Sequence, residues 1–195
     1  MKFAKIFIGI KHVPRVPLGY SVHRPPAIGT LCYLCRNQTR CMKSPESLQS
    51  VAEFHRTFHL PVLETPAIPD PERCTLRVNL LEEELSELRT AIADGDLVEV
   101  ADALADLQYV LSGAVLEFGF GEKFKALFDE VHRSNMSKTC KSPEEAEATI
   151  NHYRTLNQEG RVEHRGEYYL VYRNSDNKVL KNVNYSPADL AGQLK

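Results

Sequence analysis

Asp94-Gly-Asp-Leu-Val-Glu-Val-Ala-Asp-Ala-Leu-Ala-Asp-Leu-Gln-Tyr-Val-Leu-Ser-Gly-Ala-Val-Leu-Glu117 runs from a turn into a long helix that is apolar nearly all round yet carries acids at regular intervals. Asp94-Gly95 reads as a turn with a left-handed glycine. Asp96 is placed to cap the helix, with Glu99 at the capping-box position. Leu97, Val98, Val100, Leu104, Leu107, Val110, Leu111, Val115 and Leu116 wrap most of its circumference, so the helix is expected to be central and to end near Gly119. Asp102 and Asp106 interrupt that apolar surface. Between Thr90 and Glu122 there is no Lys, Arg or His, although Asp94, Asp96, Glu99, Asp102, Asp106, Glu117 and Glu122 all fall there. Carboxylates among apolar neighbours are costly unless something supplies positive charge. A hard divalent cation, which prefers oxygen ligands, is the expected supplier.

The preceding segment carries a second acidic cluster, Glu82-Glu83-Glu84-Leu85-Ser86-Glu87. Asp70-Pro71 opens a helix that runs to about Ala93, with Leu81, Leu85, Leu88 and Ile92 as its expected apolar stripe. The short turn makes the two helices antiparallel. Glu84 and Glu87 are three apart, as are Glu99 and Asp102, so each pair shares one helical face and repels unless a cation bridges it. At ~1.5 Å per residue, Glu87 and Asp102 both lie ~9 Å from the turn, and Glu84 and Asp106 ~14–15 Å from it. Four carboxylates from two facing helices can hold Mg²⁺ and leave positions for water and phosphate oxygens. Simpler readings stand beside this one. Glu99 also fits a plain capping role, and Glu82 and Glu83 fit solvated helix positions.

Outward from this pair, Ser44-Pro45 signals an earlier helix whose inner face is Leu48, Val51, Ala52, His55 and Phe58. Pro61, Pro66 and Pro69 make an extended connector. A further helix is expected over about Glu122 to His132, and Ser142-Pro-Glu-Glu145 opens another with a capping box. Glu167–Arg173 and Lys178–Lys181, flanking Asn174-Ser-Asp-Asn177, read as a β-hairpin. Arg133, Asn135 and Lys138 fall just past the expected end of their helix. They suit phosphate binding, and the cations equally suit the negative end of a helix dipole. Arg77 reads either as a partner one turn from the acidic cluster or as a phosphate contact. Tyr168, Tyr169 and Tyr172 read as strand packing residues.

Composition sets the limits. The 195-residue chain has a net charge of −2, but seven of its 24 Lys and Arg and none of its 26 acids lie in residues 1–41, so the remainder nets −9. An acidic body argues against a broad nucleic-acid face, and no apolar run approaches a membrane span. Five scattered cysteines do not make a disulfide framework, and a reducing, cytoplasmic location is expected. Residues 1–43 read as a basic, proline-rich, disordered extension. They alternatively serve as an organellar targeting sequence, and Met42 stands immediately before the first helix signal. Cys32 and Cys35 have knuckle spacing, with Cys41 and His23 as conceivable partners for zinc. The chain is thus expected to divide into this extension, a helical domain over 44–160, and a C-terminal hairpin and tail over 161–195.

Glu83-Glu84-Leu-Ser-Glu87 followed by Glu99-Val-Ala-Asp102 resembles the EExxE and ExxD signature of the all-α nucleoside triphosphate pyrophosphohydrolases, which include MazG, the dimeric dUTPases and the phosphoribosyl-ATP pyrophosphohydrolases. Val51-Ala-Glu-Phe-His55, Asp102-Ala-Leu-Ala-Asp106-Leu-Gln-Tyr109, Glu130-Val-His-Arg-Ser-Asn-Met-Ser-Lys138 and Lys178-Val-Leu-Lys181 with Tyr185-Ser-Pro187 extend the likeness to a MazG-related subgroup over about residues 44–195. The resemblance implies an all-α antiparallel bundle with a small C-terminal β-hairpin, working as a homodimer or homotetramer. It implies Mg²⁺ or Mn²⁺ on Glu84, Glu87, Glu99 and Asp102, with Asp106 as an extra or supporting ligand and Glu83 orienting or deprotonating water. It favours phosphate roles for Arg133, Asn135 and Lys138, and makes Lys178 and Lys181 candidates to reach a neighbouring subunit's site. The implied reaction is hydrolysis of a nucleoside triphosphate between its α- and β-phosphates. Phosphoribosyl-ATP as substrate, a non-catalytic metal or nucleotide binder, and a structural helical module remain the alternatives.

Overall fold

Helix α1 (Ser47–Thr57) starts at an uncapped Glu46 rather than at Ser44-Pro45. The computed structural model describes residues 43–195. The expectations for residues 1–42, including the targeting role and the Cys32, Cys35, Cys41 and His23 knuckle, lie outside the described residues. α1 buries Val51, Ala52 and His55, and Val51 and Ala52 pack with Leu116, Val62 and Tyr109. The proline-rich connector then crosses the end of a later helix. Leu63 N–H bonds the Leu116 carbonyl at 3.0 Å, and Ala67 N–H bonds Phe118 at 3.1 Å. Gly119 is required there: its φ is +73°, and a β-carbon would run into the Thr65 carbonyl.

α2 (Pro71–Asp94) and α3 (Leu97–Glu117) form the antiparallel pair. Asp70 caps α2 by accepting from Arg73 N–H at 2.9 Å. Gly95, at φ +69°, closes it in the left-handed region. Asp96 caps α3 by accepting from Val98 and Glu99 N–H at 2.9 and 3.2 Å. These ends follow the expected signals.

The buried faces do not. α2 buries Arg77, Leu80, Glu84 and Ala91. Leu85 and Ile92 of the expected stripe are exposed. α3 is central only in its second half, where Val110, Ser112, Gly113, Val115, Leu116 and Glu117 are buried. Its first half leaves Leu97 79% exposed and Val98 and Leu104 more than half exposed. The small residues Ala91 and Ala103 are buried on these helices while the bulkier Leu85, Ile92 and Leu104 are exposed.

α4 (Phe124–Met136) runs a full turn beyond its expected end at His132, so Arg133 and Asn135 lie on the helix and only Lys138 lies beyond it. The apolar spacing stops at His132, but Ser134 continues the inner face by bonding the Tyr185 hydroxyl at 3.1 Å. α5 (Pro143–Thr155) is capped by Ser142, whose hydroxyl accepts from Glu145 N–H at 3.2 Å. The Glu145 carboxylate reaches back to Lys141 N–H at 2.6 Å, one residue before the cap.

β2 (Tyr168–Arg173) pairs antiparallel with the upstream β1 (Gly160–Arg165), from Arg165↔Tyr168 to Gly160↔Arg173. The hairpin is therefore present, but Lys178–Lys181 is not its second strand. Residues there contribute a single bridge, Tyr172↔Val179, and Leu180 N–H bonds Val171 O at 2.8 Å. Gly166, at φ +59°, makes a two-residue turn that holds the closer partner in register. The hairpin packs on α5 around Cys140, Ala146, Val171 and Leu180. α6 (Leu190–Leu194) closes the chain against α4. Among the described residues no helix is long and apolar enough to cross a membrane.

Candidate active site

Glu84 organises the acidic surface between α2 and α3. It points into the helix pair and is 4% exposed. Burial pushes its carboxyl up to about 7, with further contributions from Asp106, Glu87, Glu83 and Asp102. Burial likewise pushes Asp106 up, reinforced by Asp102 and Glu87. Five of the six acids singled out in the sequence thus lie in one field spanning the two helices. Glu87 and Asp106 are half-buried, and Glu83 and Asp102 are exposed beside them. Glu99 is exposed on the first turn of α3, where its N–H is held by Asp96. Among the described residues no three His, Cys, Asp or Glu side chains stand close enough to share one ion as they are placed. The donor set at this surface consists of carboxylate oxygens alone.

Glu117, at the far end of α3, behaves oppositely to Glu84. It is 1% exposed and receives both Arg77 and Arg73, the latter also through Nε at 3.1 Å. Burial alone would push its carboxyl up; the hydrogen bonds and charges of the two guanidinium groups outweigh that and hold it below the usual carboxylate range. Arg77 is therefore neither a phosphate contact nor a partner one turn from the acidic cluster. It is the buried counter-ion of Glu117, 40 residues away. Arg77 also donates to His55 Nε2 at 3.3 Å, which leaves His55 Nδ1 to donate to Pro61 O at 2.8 Å. Burial and the Arg77 charge keep that imidazole below its ordinary pKa despite the Pro61 bond. Gly113 makes room for the network, since a β-carbon there would lie 2.6 Å from Arg77 Nη1. No local sequence signal marks this network, because its partners are brought together only by packing.

The expected phosphate-binding residues lie at the C-terminal end of α4 and just beyond it. Arg133 is bound to Glu130 through Nε at 2.7 Å and Nη2 at 2.8 Å, and donates from Nη2 to Pro187 O at 3.0 Å. Glu130 is held well below the usual carboxylate range by the Arg133 hydrogen bonds and by Asp189 N–H. Lys138 donates to Asn135 Oδ1 at 2.6 Å.

Comparison with known proteins agrees with the acidic pattern. Residues 51–135 match the family model described as phosphoribosyl-ATP pyrophosphohydrolase. The chain is also similar to "Uncharacterized protein L479" of Acanthamoeba polyphaga mimivirus, with 25% identity over 225 residues, covering 69% of this chain and 90% of the relative. The family match spans the six acids of the α2–α3 pair considered for the metal, the Glu117 network, Arg133 and Asn135. Residues 51–135 thus carry a domain that matches the phosphoribosyl-ATP pyrophosphohydrolase family model, a family of the MazG-like nucleoside triphosphate pyrophosphohydrolase superfamily.

Proposed function

We propose that this chain hydrolyses a nucleoside triphosphate between its α- and β-phosphates, giving a monophosphate and pyrophosphate, with Mg²⁺ or Mn²⁺ on the α2–α3 acidic surface. The observation that carries this reading is Glu84, a buried carboxyl set among Asp106, Glu87, Glu83 and Asp102. A carboxylate placed so is unfavourable on its own and becomes favourable beside a cation. An all-oxygen donor set suits a hard divalent ion. Glu84, Glu87, Glu99 and Asp102 would hold it, with Asp106 beside them. When bound, such an ion neutralises phosphate charge and lowers the pKa of a bound water.

The chain's own groups do the rest. Water is added across the Pα–O–Pβ bridge: its oxygen joins one phosphorus, and the bridging oxygen leaves on the other. Glu83, exposed at the edge of the surface, orients the attacking water or takes its proton. Asn135 and Lys138 meet the outer phosphates, Lys138 through charge, and Arg133 fixes their segment through Glu130. Phosphoribosyl-ATP is a second reading of the substrate, favoured by the family model that matches residues 51–135.

A second copy is part of the proposal. Val78, Leu85 and Ile92 on α2, and Leu97, Leu104 and Leu111 on α3, are exposed large apolar residues at seven-residue intervals. Heptad spacing on two antiparallel helices is the pattern of a four-helix seam, so a homodimer or dimer of dimers covers it.

The test is incubation with a panel of canonical and modified nucleoside triphosphates and phosphoribosyl-ATP, with Mg²⁺ or Mn²⁺, resolving monophosphate and pyrophosphate. Pyrophosphate release from at least one substrate is expected. Asp102→Asn and Glu87→Gln are expected to lower kcat at least about a hundredfold, the scale of losing a metal-positioning or acid–base group. Full activity in either variant would remove the site assignment.

A further inference from the structure

The outer edge of β2 is engaged by other parts of the chain. Tyr169 exchanges two backbone bonds with Cys140, at 2.8 and 2.9 Å, Val171 O accepts from Leu180 N–H at 2.8 Å, and Arg173 N–H donates to Lys178 O at 2.8 Å. Residues opposite one another in an antiparallel ladder turn their polar backbone groups the same way, alternately towards and away from the partner strand. Tyr169, Val171 and Arg173 stand opposite His164, Val162 and Gly160. These three β1 residues therefore point their N–H and C=O groups away from β2. The sheet has two strands, and among the described residues no backbone bond from outside the hairpin reaches those three. β1 is thus an open edge. Its side chains divide by face. Val162, 40% exposed, lines an open groove with Ile150, Arg154 and Tyr169. Arg161, Glu163 and Arg165 lie on the other face, where Glu163 accepts from the two arginines at 3.1 and 3.0 Å. Glu159 extends the ladder by one step, its carbonyl accepting from Asn174 N–H at 2.9 Å, and so falls on that same face.

We propose that the free edge of β1 is an interface with a second copy of this chain, the two β1 strands pairing antiparallel about a two-fold axis at Val162. Backbone bonds then join Val162 to its counterpart and Gly160 to His164 of the other copy, which are the groups turned away from β2. Arg161 stands opposite Glu163, and Glu159 opposite Arg165, each pair occurring twice. The two valines meet beside the groove. Neighbouring registers lack this match. An axis at Arg161 sets that arginine against itself and Glu159 against Glu163, and an axis at Glu163 sets Glu163 against itself and Arg161 against Arg165. Like charges directly opposite each other are destabilising. Charged side chains ordinarily blunt an edge strand against pairing; here they oppose the adjacent registers and favour one. A second copy brings the matching alternation by symmetry, whereas an unrelated strand would have to supply it by coincidence. The contact is separate from the α2–α3 seam and stands whether or not the chain is a hydrolase. Two different isologous contacts are what a dimer of dimers requires.

The experiment is mild oxidation of the full chain carrying Val162→Cys, read on a non-reducing gel. A hydrogen-bonded pair holds its α-carbons about 5.5 Å apart, within reach of a disulfide. A crosslinked dimer is expected from Val162→Cys. None is expected from wild type, which controls for the native cysteines, or from Arg161→Cys, whose counterpart is offset by two residues and lies beyond about 7 Å. The crosslink should persist in Leu85→Glu with Leu104→Glu; its loss there would assign it to the α2–α3 seam and overturn the proposal. Sedimentation velocity supplies a second readout. Val162→Pro removes an N–H that β2 does not use, so the hairpin should survive, as circular dichroism can verify, while self-association weakens at least about tenfold. Arg161→Glu should weaken it about tenfold, and Arg161→Glu with Glu163→Arg should restore it, because opposite charges again face each other. An edge left bare or taken by another protein would give no Val162→Cys dimer and no effect of Val162→Pro, and either result overturns the interface. Equal crosslinking in Arg161→Cys, or no recovery in the exchanged pair, overturns the register.

Discussion

At the scale of single residues, Glu84 and Glu117 are the same side chain with opposite fates. Both are buried on helices of one antiparallel pair. Glu117 meets two guanidinium groups and is held ionised; Glu84 meets four more carboxylates and holds its proton to about pH 7. In the sequence Glu84 belongs to the acidic cluster before the cation-free stretch and Glu117 to that stretch itself, and a divalent ion is the expected source of positive charge. For Glu117 the cations are Arg73 and Arg77, 44 and 40 residues away, which no local spacing reveals. Glu84 sets a testable sign. Its folded pKa of about 7 lies above the ordinary 4.5, so between those values the folded state binds more protons than the unfolded state, and metal-free stability falls as pH rises through that window. At pH 8 without metal, Glu84→Gln is expected to raise stability by about 2–3 kcal/mol, from the linkage of one pKa unit to ~1.4 kcal/mol. At pH 4.5 the gain should shrink towards zero, and if Mg²⁺ binds at this surface, the stability it adds should be lost in the variant. Urea melts at both pH values, with and without Mg²⁺, check this. A gain that is the same at pH 4.5 and pH 8 would contradict the buried-carboxyl account.

At the scale of elements, the starts of α2, α3 and α5 were legible because caps are local chemistry, whereas the Ser44-Pro45 signal did not mark the start of α1. Asp70, Asp96 and Ser142 each accept a backbone N–H two or three residues on, as their positions in the sequence imply. The end of α4 and the hairpin partner were not legible. α4 continues because Ser134 finds Tyr185, 51 residues later, and β2 chooses β1 because the Gly166 turn is shorter than the Asn174–Asn177 loop. The join between α2 and α3 also rests on a distant contact, the Arg73–Glu117–Arg77 cluster. Glu117→Ala leaves Arg77 buried without its counter-ion and is expected to cost about 3–5 kcal/mol. Arg73→Ala, at the more exposed side, should cost about 1 kcal/mol or less. Equilibrium urea denaturation of the two variants at neutral pH measures the difference. Similar costs for both would mean that Glu117 is not the centre of the cluster.

At the scale of the whole molecule, the apolar girdle of α3 reads differently from the way it reads in sequence. It predicted a central helix. Within one chain only its second half is covered, and the first half joins Val78, Leu85 and Ile92 of α2 in an exposed stripe. If a second copy covers that stripe, Leu85→Glu together with Leu104→Glu should weaken self-association at least about a hundredfold, since each buried leucine contributes about 1.5–3 kcal/mol. Sedimentation velocity over a concentration series measures it. A wild-type chain that stays monomeric at high concentration would remove the proposed seam.

Amino-acid order alone established the helical class, the antiparallel turn at Asp94-Gly95, the cap residues and the presence of paired carboxylates, because each depends on neighbours within a few positions. Packing settled which carboxylate is neutralised by arginine and which is left among other acids. It also settled which face of α2 is buried and which strand pairs with β2. The arginine cluster joins residues 40 and 44 apart and Ser134 meets Tyr185 across 51; such contacts, and the competition between nearby partners such as β1 and Lys178–Lys181 for β2, are not written in local spacing.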